Sequence, residues 1–288
     1  MGEHKKGLWI TTIGVLFVVP DSLFIRMIDA TAWTVTFWRG ILSGLIVLLV
    51  VAIFMGRKPF YESFQTGYSG LIYTVLIALS APSFVLAIKL TSVANVVLII
   101  ASMPVFAAIF SRLFLGEQIT LRMVFTIIGV FLGLSIVAFG SSVNEQASWQ
   151  GDLVAVCVSA SFAGAMTAAR KLRAVSMVPA IPVAYVLGAI IVAPLSEPLS
   201  AFYAQPTLIL LHGGFIACSS VLLTLGPRYI SSSEVALLIL LETALAPLLV
   251  WAVIGEHPGQ WALIGGTIVI SVLVASNIVV LRQIGRWR

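Results

Sequence analysis

Ten long apolar segments separated by short polar intervals dominate this chain: approximately 8–28, 32–54, 68–88, 92–113, 121–140, 150–169, 177–195, 207–226, 233–254 and 259–281. A helix of about 20 residues crosses the hydrocarbon of a bilayer, so each segment is long enough to span one. Only 9% of the 288 residues are charged and 60% are hydrophobic, whereas soluble domains carry about 25% charged residues. A soluble fold could not cover its surface with so little charge. The membrane β-barrel alternative has little force, because these runs are 18 or more residues long and are not built from ten-residue polar/apolar alternations. In hydrocarbon every backbone amide and carbonyl needs a partner, and a continuous helix supplies nearly all of them. The expected fold is therefore an all-α polytopic membrane protein with ten transmembrane helices. The intervals 28–32, 89–91, 113–121 with Gly116-Glu117, and 226–233 with Gly226-Pro227 each close a helical hairpin.

The first apolar run follows Met1-Gly2-Glu3-His4-Lys5-Lys6 and has the flank of a secretory signal. It continues for about 20 residues without a small-residue cleavage site, so it is kept as a helix. The net charge of +5 does not indicate nucleic acid, since the basic residues fall in twos and threes between apolar runs. They read as topology signals. With a cytoplasmic amino terminus, Lys5, Lys6, Arg57, Lys58, Arg112, Arg122, Arg170, Lys171, Arg173, Arg228, Arg282, Arg286 and Arg288 lie inside, which is 13 of the 16 basic residues. Arg26 and Lys89 fall toward outer ends, Arg39 lies within the second helix, and the outer loop 141–149 has neither Lys nor Arg. The positive-inside rule thus places both termini in the cytoplasm. Cys157 and Cys218 lie in apolar runs and read as small buried residues.

Residues 91–117 align with 230–256, pairing Ser92 with Ser231, Val96 with Val235, Leu98 with Leu237, Ala107 with Ala246 and Gly116-Glu117 with Gly255-Glu256. The alignment divides the chain into two five-helix repeats, 1–140 and 141–288. Five is odd, so matched helices run in opposite directions and the repeats are inverted. Inverted halves offer two related packings around one central site, the architecture of alternating access.

These pieces also resemble a known family. Ser102-Met103-Pro104 followed by Leu115-Gly116-Glu117, and Leu241-Glu242-Thr243 followed by Ile254-Gly255-Glu256, look like the drug/metabolite transporter superfamily in its ten-helix bacterial metabolite exporter form. The second piece departs from the common Glu-Pro arrangement by having Thr243, with Pro247 able to relocate the kink. The resemblance implies a central cavity surrounded by the first, third, fourth, sixth, eighth and ninth helices, and a solute such as an amino acid, aromatic or otherwise neutral.

Asp21 and Arg39 are both expected roughly 10 Å below the outer surface. They read as an outer gate or zwitterion contact, or as a structural ion pair fixing the hairpin. Pro20 can bend the first helix beside them. Glu242, mid-helix without a basic partner at helical spacing, reads as a contact for an amino group, a proton carrier or a neutral structural acid. His212, before Gly213-Gly214, reads as a site residue or a satisfied core histidine. A polar lining is expected from Ser80, Ser83, Asn95, Ser102, Ser161, Ser219 and Thr243, although each can instead bond its own helix or cap it. Tyr185, Phe84, Phe215 and Trp251 offer aromatic faces or ordinary packing. Gly40/Gly44 and Gly129/Gly133 read as packing stripes. Glu117 and Glu256 can exchange hydrogen bonds in a gate or act as static caps.

The sequence therefore points to secondary active export of a small amphiphilic metabolite from the bacterial inner membrane, with an amino acid as the favoured solute. Alternatives are a drug or cationic-compound exporter of the same fold, a channel, and a non-transporting membrane interaction protein. No phosphate-binding loop, nucleophile with base, or metal-ligand repeat occurs, so neither an enzyme nor a cofactor is expected. Proton coupling stays open, the partners are the solute and membrane lipid, and a homodimer is compatible but not required.

Overall fold

Apolar runs of this length leave the backbone little to bond with except itself, and the computed structural model is built of helices. It describes residues 2–56, 58–116, 118–141, 147–172, 175–225, 229 and 232–285. The helices are α1 (Gly2–Val18), α2 (Asp21–Met27), α3 (Ala32–Met55), α4 (Lys58–Phe64), α5 (Gly67–Leu90), α6 (Val93–Ile100), α7 (Met103–Leu115) and α8 (Leu121–Ser141). They continue with α9 (Trp149–Lys171), α10 (Ala180–Val192), α11 (Pro198–Ala204), α12 (Pro206–Leu225), α13 (Ser232–Ile254) and α14 (Gln260–Gly285). Among the described residues, seven spans are long and apolar enough to cross a membrane: 3–27, 32–55, 67–90, 93–115, 121–140, 149–171 and 206–223. An eighth is reached by joining 180–195 to 198–204 across a 100° bend, and Leu238–Ile254 and Gln260–Ser276 are shorter apolar helices. The chain is thus an all-α polytopic membrane protein. Arg57, Glu117, 142–146, Arg173, Gly226-Pro227, Arg228, Ser231, Arg286 and Arg288 lie outside the described residues, and with them the Glu117 gate and the 226–233 turn.

Prolines set the breaks. Pro20 stands between α1 and α2, bending the first span directly before Asp21. Pro104 sits in the first turn of α7, just after the break at Ala101-Ser102. A proline leaves the carbonyl four residues earlier without its amide partner. For Pro104 that carbonyl is Ile100, and the Ser159 hydroxyl of α9 reaches it at 3.5 Å. For Pro82, inside α5, it is Ala78, against which Gly188 of α10 packs so closely that a Cβ there would lie 2.8 Å from the oxygen.

The glycine stripes do pack. Gly40 and Gly44 of α3 meet α10 at Tyr185, Val186 and Ala189, and Gly129 and Gly133 of α8 meet α14 at Val272 and Val269. The principal helix pairs are α5 with α9, α8 with α14, α3 with α10, α1 with α12, α3 with α12, α5 with α10, α7 with α9, α6 with α9, α3 with α5, α6 with α13 and α1 with α13. The largest buried apolar cluster includes Ile25, Ile28, Val35, Ile88, Val96 and Val250 and gathers at the end of the bundle that carries the turns at 28–31, 91–92 and 255–259. Cys157 and Cys218, expected to be buried, are exposed on the outside of the bundle, where apolar surface faces lipid without penalty. Two short helices, α4 and α11, were not anticipated, since neither is long enough to register as an apolar run.

Candidate functional site

Three residues far apart in the chain converge at the break in the first span. The Arg39 guanidinium on α3 donates to both Asp21 oxygens, Nε to Oδ1 at 3.2 Å and Nη2 to Oδ2 at 2.7 Å. His212 on α12 completes the group, with Nε2 2.6 Å from Asp21 Oδ1. Pro20 places Asp21 in the first turn of α2, where the helix dipole favours a carboxylate. Asp21 is 2% and His212 1% exposed. Phe24 stacks on the imidazole at 5.6 Å, and Phe84 lies 5.8 Å from the Arg39 guanidinium carbon. A bidentate arginine plus a histidine engages both carboxylate oxygens, and bulk water does not reach them.

Glu242 on α13 feels the charges of both Asp21 and Arg39. Unlike Asp21 it keeps accessible surface. Tyr185 on α10 also faces Arg39 electrostatically, and its hydroxyl meets that of Ser220 on α12 at 2.9 Å. The first half therefore supplies Asp21 and Arg39, and the second Tyr185, His212 and Glu242.

The neutral residues divide. Ser80 bonds the Ile77 carbonyl at 2.8 Å, Ser83 bonds Leu79 at 2.9 Å, and Ser102 bonds Ile99 at 2.5 Å while its oxygen lies 3.3 Å from that of Ser159. Back-bonding of this kind satisfies a hydroxyl within its own helix. Asn95, near the start of α6, donates to Asp152 at 3.1 Å. Ser219 and Thr243 are buried, and Ser161 is partly exposed. Gly213 packs on Leu42 of α3, whereas nothing stands within 4 Å of a Cβ at Gly214.

A second polar group closes the end that carries the 91–92 turn. Arg26 Nη2 donates to the Thr91 carbonyl at 2.7 Å and to Glu256 Oε1 at 3.2 Å, while Nε stands 2.8 Å from Oε2. The same Glu256 accepts from the Val93 amide at 2.7 Å, capping α6. Lys89 bonds the Ile28 carbonyl at 3.0 Å, and Thr91 donates to Asp152 at 2.9 Å. Arg26 and Lys89, two of the basic residues expected away from the cytoplasmic side, are both bonded at this end. Asp152 was missed from sequence. An acid in the first turn of an apolar helix was the available signal.

Residues 5–139 match the EamA-like transporter family. A solved chain 14% identical in sequence shares the fold, with a TM-score of 0.65 over 97% of this chain and 99% of its own. No curated protein matches. The first half of the chain is thus similar to the EamA-like transporter family, and the protein is a multi-pass membrane protein that shares its fold with the solved chain.

Proposed function

We propose that the protein is a secondary active exporter of the bacterial inner membrane. It has ten crossings, two inverted five-helix halves (1–140 and 141–288) and both termini in the cytoplasm. Its solute is a small amphiphilic metabolite, foremost a neutral or aromatic amino acid. The observation that carries this reading is a charged site assembled from both halves, with Asp21, Arg39, His212 and Glu242 at its centre. Buried intramembrane charges of this kind mark solute pathways.

Exchange of the halves also supports the inverted repeat. Numbering spans one to ten, it turns the pair α5 with α9 into α12 with α1, α3 with α12 into α10 with α5, and α7 with α9 into α13 with α1. The pairs α3 with α10, α6 with α13 and α8 with α14 map onto themselves. Such a packing can be traded between halves, opening one end as the other closes.

Within the site the roles differ. Asp21 is consumed by Arg39 and His212 and holds the first span to α3 and α12. Glu242 retains accessible surface, so it is the acidic group available to a substrate ammonium. Radiolabelled amino acids should show saturable uptake and counterflow in proteoliposomes, and Glu242→Gln should reduce both by about tenfold or more, the loss of one charged hydrogen bond. Uptake indifferent to Glu242→Gln at matched reconstitution would remove Glu242 from the site. Gradient-driven flux without counterflow would make the protein a channel.

A further inference from the structure

A cavity of about 430 Å³ lies away from the central site, between α7, α8, α9 and α14, at the end of the bundle opposite the Arg26–Glu256 clasp. Its wall joins two kinds of surface. Arg122, Arg170, Thr126 and Ser276 are polar, whereas Val105 and Leu273 are buried and apolar.

The polar part is organised. Arg122 Nη1 donates to the Ser276 carbonyl at 2.8 Å and to its hydroxyl at 3.1 Å, and Thr126 Oγ1 lies 2.9 Å from the same hydroxyl. These bonds tie the guanidinium to α14 through one nitrogen. Arg122 Nε and Nη2 have no partner among the described residues, so a forked pair of donors remains for a ligand. Arg170, in the last turn of α9, also lines the cavity, where it keeps an interaction of its own. The Arg122 fork with flanking hydroxyls and a second arginine on the wall suits a tetrahedral oxyanion, because the forked N–H pair matches two of its oxygens.

The depth adds a second constraint. Arg122 lies in the first turn of α8, at the level of the helix ends, while Pro104, also on the wall, is eleven residues before the last residue of α7. At 1.5 Å per residue the apolar wall descends roughly 16 Å. A bare anion would use only the rim.

We propose that this cavity is a binding site for a phosphate group carrying an apolar chain, held by Arg122 and Arg170 with the chain along α7 and α14. An anionic phospholipid of the adjoining leaflet and a soluble phosphate ester share that chemistry, and the apolar depth favours the lipid. The site is separate from the one that contacts the transported solute, and it does not depend on the substrate proposed above.

Native mass spectrometry of the purified full chain tests it, with phosphatidylglycerol, phosphatidylcholine and glycerol phosphate as probes. Retention of phosphatidylglycerol over phosphatidylcholine is expected, falling about tenfold in Arg122→Gln/Arg170→Gln, the loss of one or more charged hydrogen bonds. Val105→Trp, which fills the wall and leaves both arginines, should cause a similar loss and guards against misfolding of the first variant. Binding of glycerol phosphate with the same dependence, in place of lipid, would keep the site and assign it a soluble ligand. Equal retention of the two lipids with no glycerol phosphate bound, or retention unchanged in both variants, would overturn the proposal.

Discussion

Asp21 illustrates how one buried residue can tie two distant helices together. Its carboxylate is shared between Arg39 and His212, so removing one partner strands the other in a site that water does not reach. Arg39→Gln should lower stability by about 3–5 kcal/mol, the cost of leaving a buried charge unpaired, read as a drop in the detergent unfolding temperature. Asp21→Asn/Arg39→Gln should be less destabilised than Arg39→Gln alone, because neither charge is then orphaned. Equal loss in both would mean that packing rather than charge dominates here. The Asp21–Arg39 pair was readable from sequence because both residues sit at one calculated depth in consecutive helices. The third member was not, since His212 is 191 positions from Asp21 and reaches it only through the packing of α12 on α2. Likewise, hydroxyls at Ser80 and Ser83 announce polarity in an apolar helix, but only the structure distinguishes a lining group from one bonded to its own turn.

At the scale of elements, the two proline breaks are stitched by neighbouring helices. Ser159→Ala would leave the Ile100 carbonyl without its nearest donor and should cost about 0.5–1.5 kcal/mol, measured by unfolding. Gly188→Val would force α10 off the Ala78 carbonyl and should cost about 1–3 kcal/mol. A neutral result at Gly188 would show that α5 and α10 can separate freely. The helices themselves were legible because apolar length and backbone satisfaction leave a membrane segment little alternative. The breaks were legible as prolines, and the glycine stripes as packing surfaces. The short helices α4 and α11 were not. α11 is fastened by tertiary bonds, with Trp38 Nε1 to the Pro198 carbonyl at 2.9 Å and the Glu197 amide to Thr34 Oγ1 at 2.9 Å, and no local pattern reports such bonds.

For the whole molecule, the proposed transport cycle makes the clasp and the central site successive barriers. Arg26, Thr91 and Val93 belong to the first half, Asp152 and Glu256 to the second, and their bonds hold the halves together at one end. The proposed transport cycle requires these bonds to break while the central group persists. Arg26→Gln should therefore weaken the closed end without disturbing the Asp21–Arg39–His212 group. The most direct test uses Glu242→Cys in a Cys157→Ser/Cys218→Ser background, sealed in vesicles and exposed to an impermeant thiol reagent from the clasp side. The account predicts that adding Arg26→Gln raises the labelling rate of the introduced thiol several-fold from that side. A rate unchanged by Arg26→Gln, with the thiol already fully reactive from the clasp side, would contradict a site closed by this contact between halves.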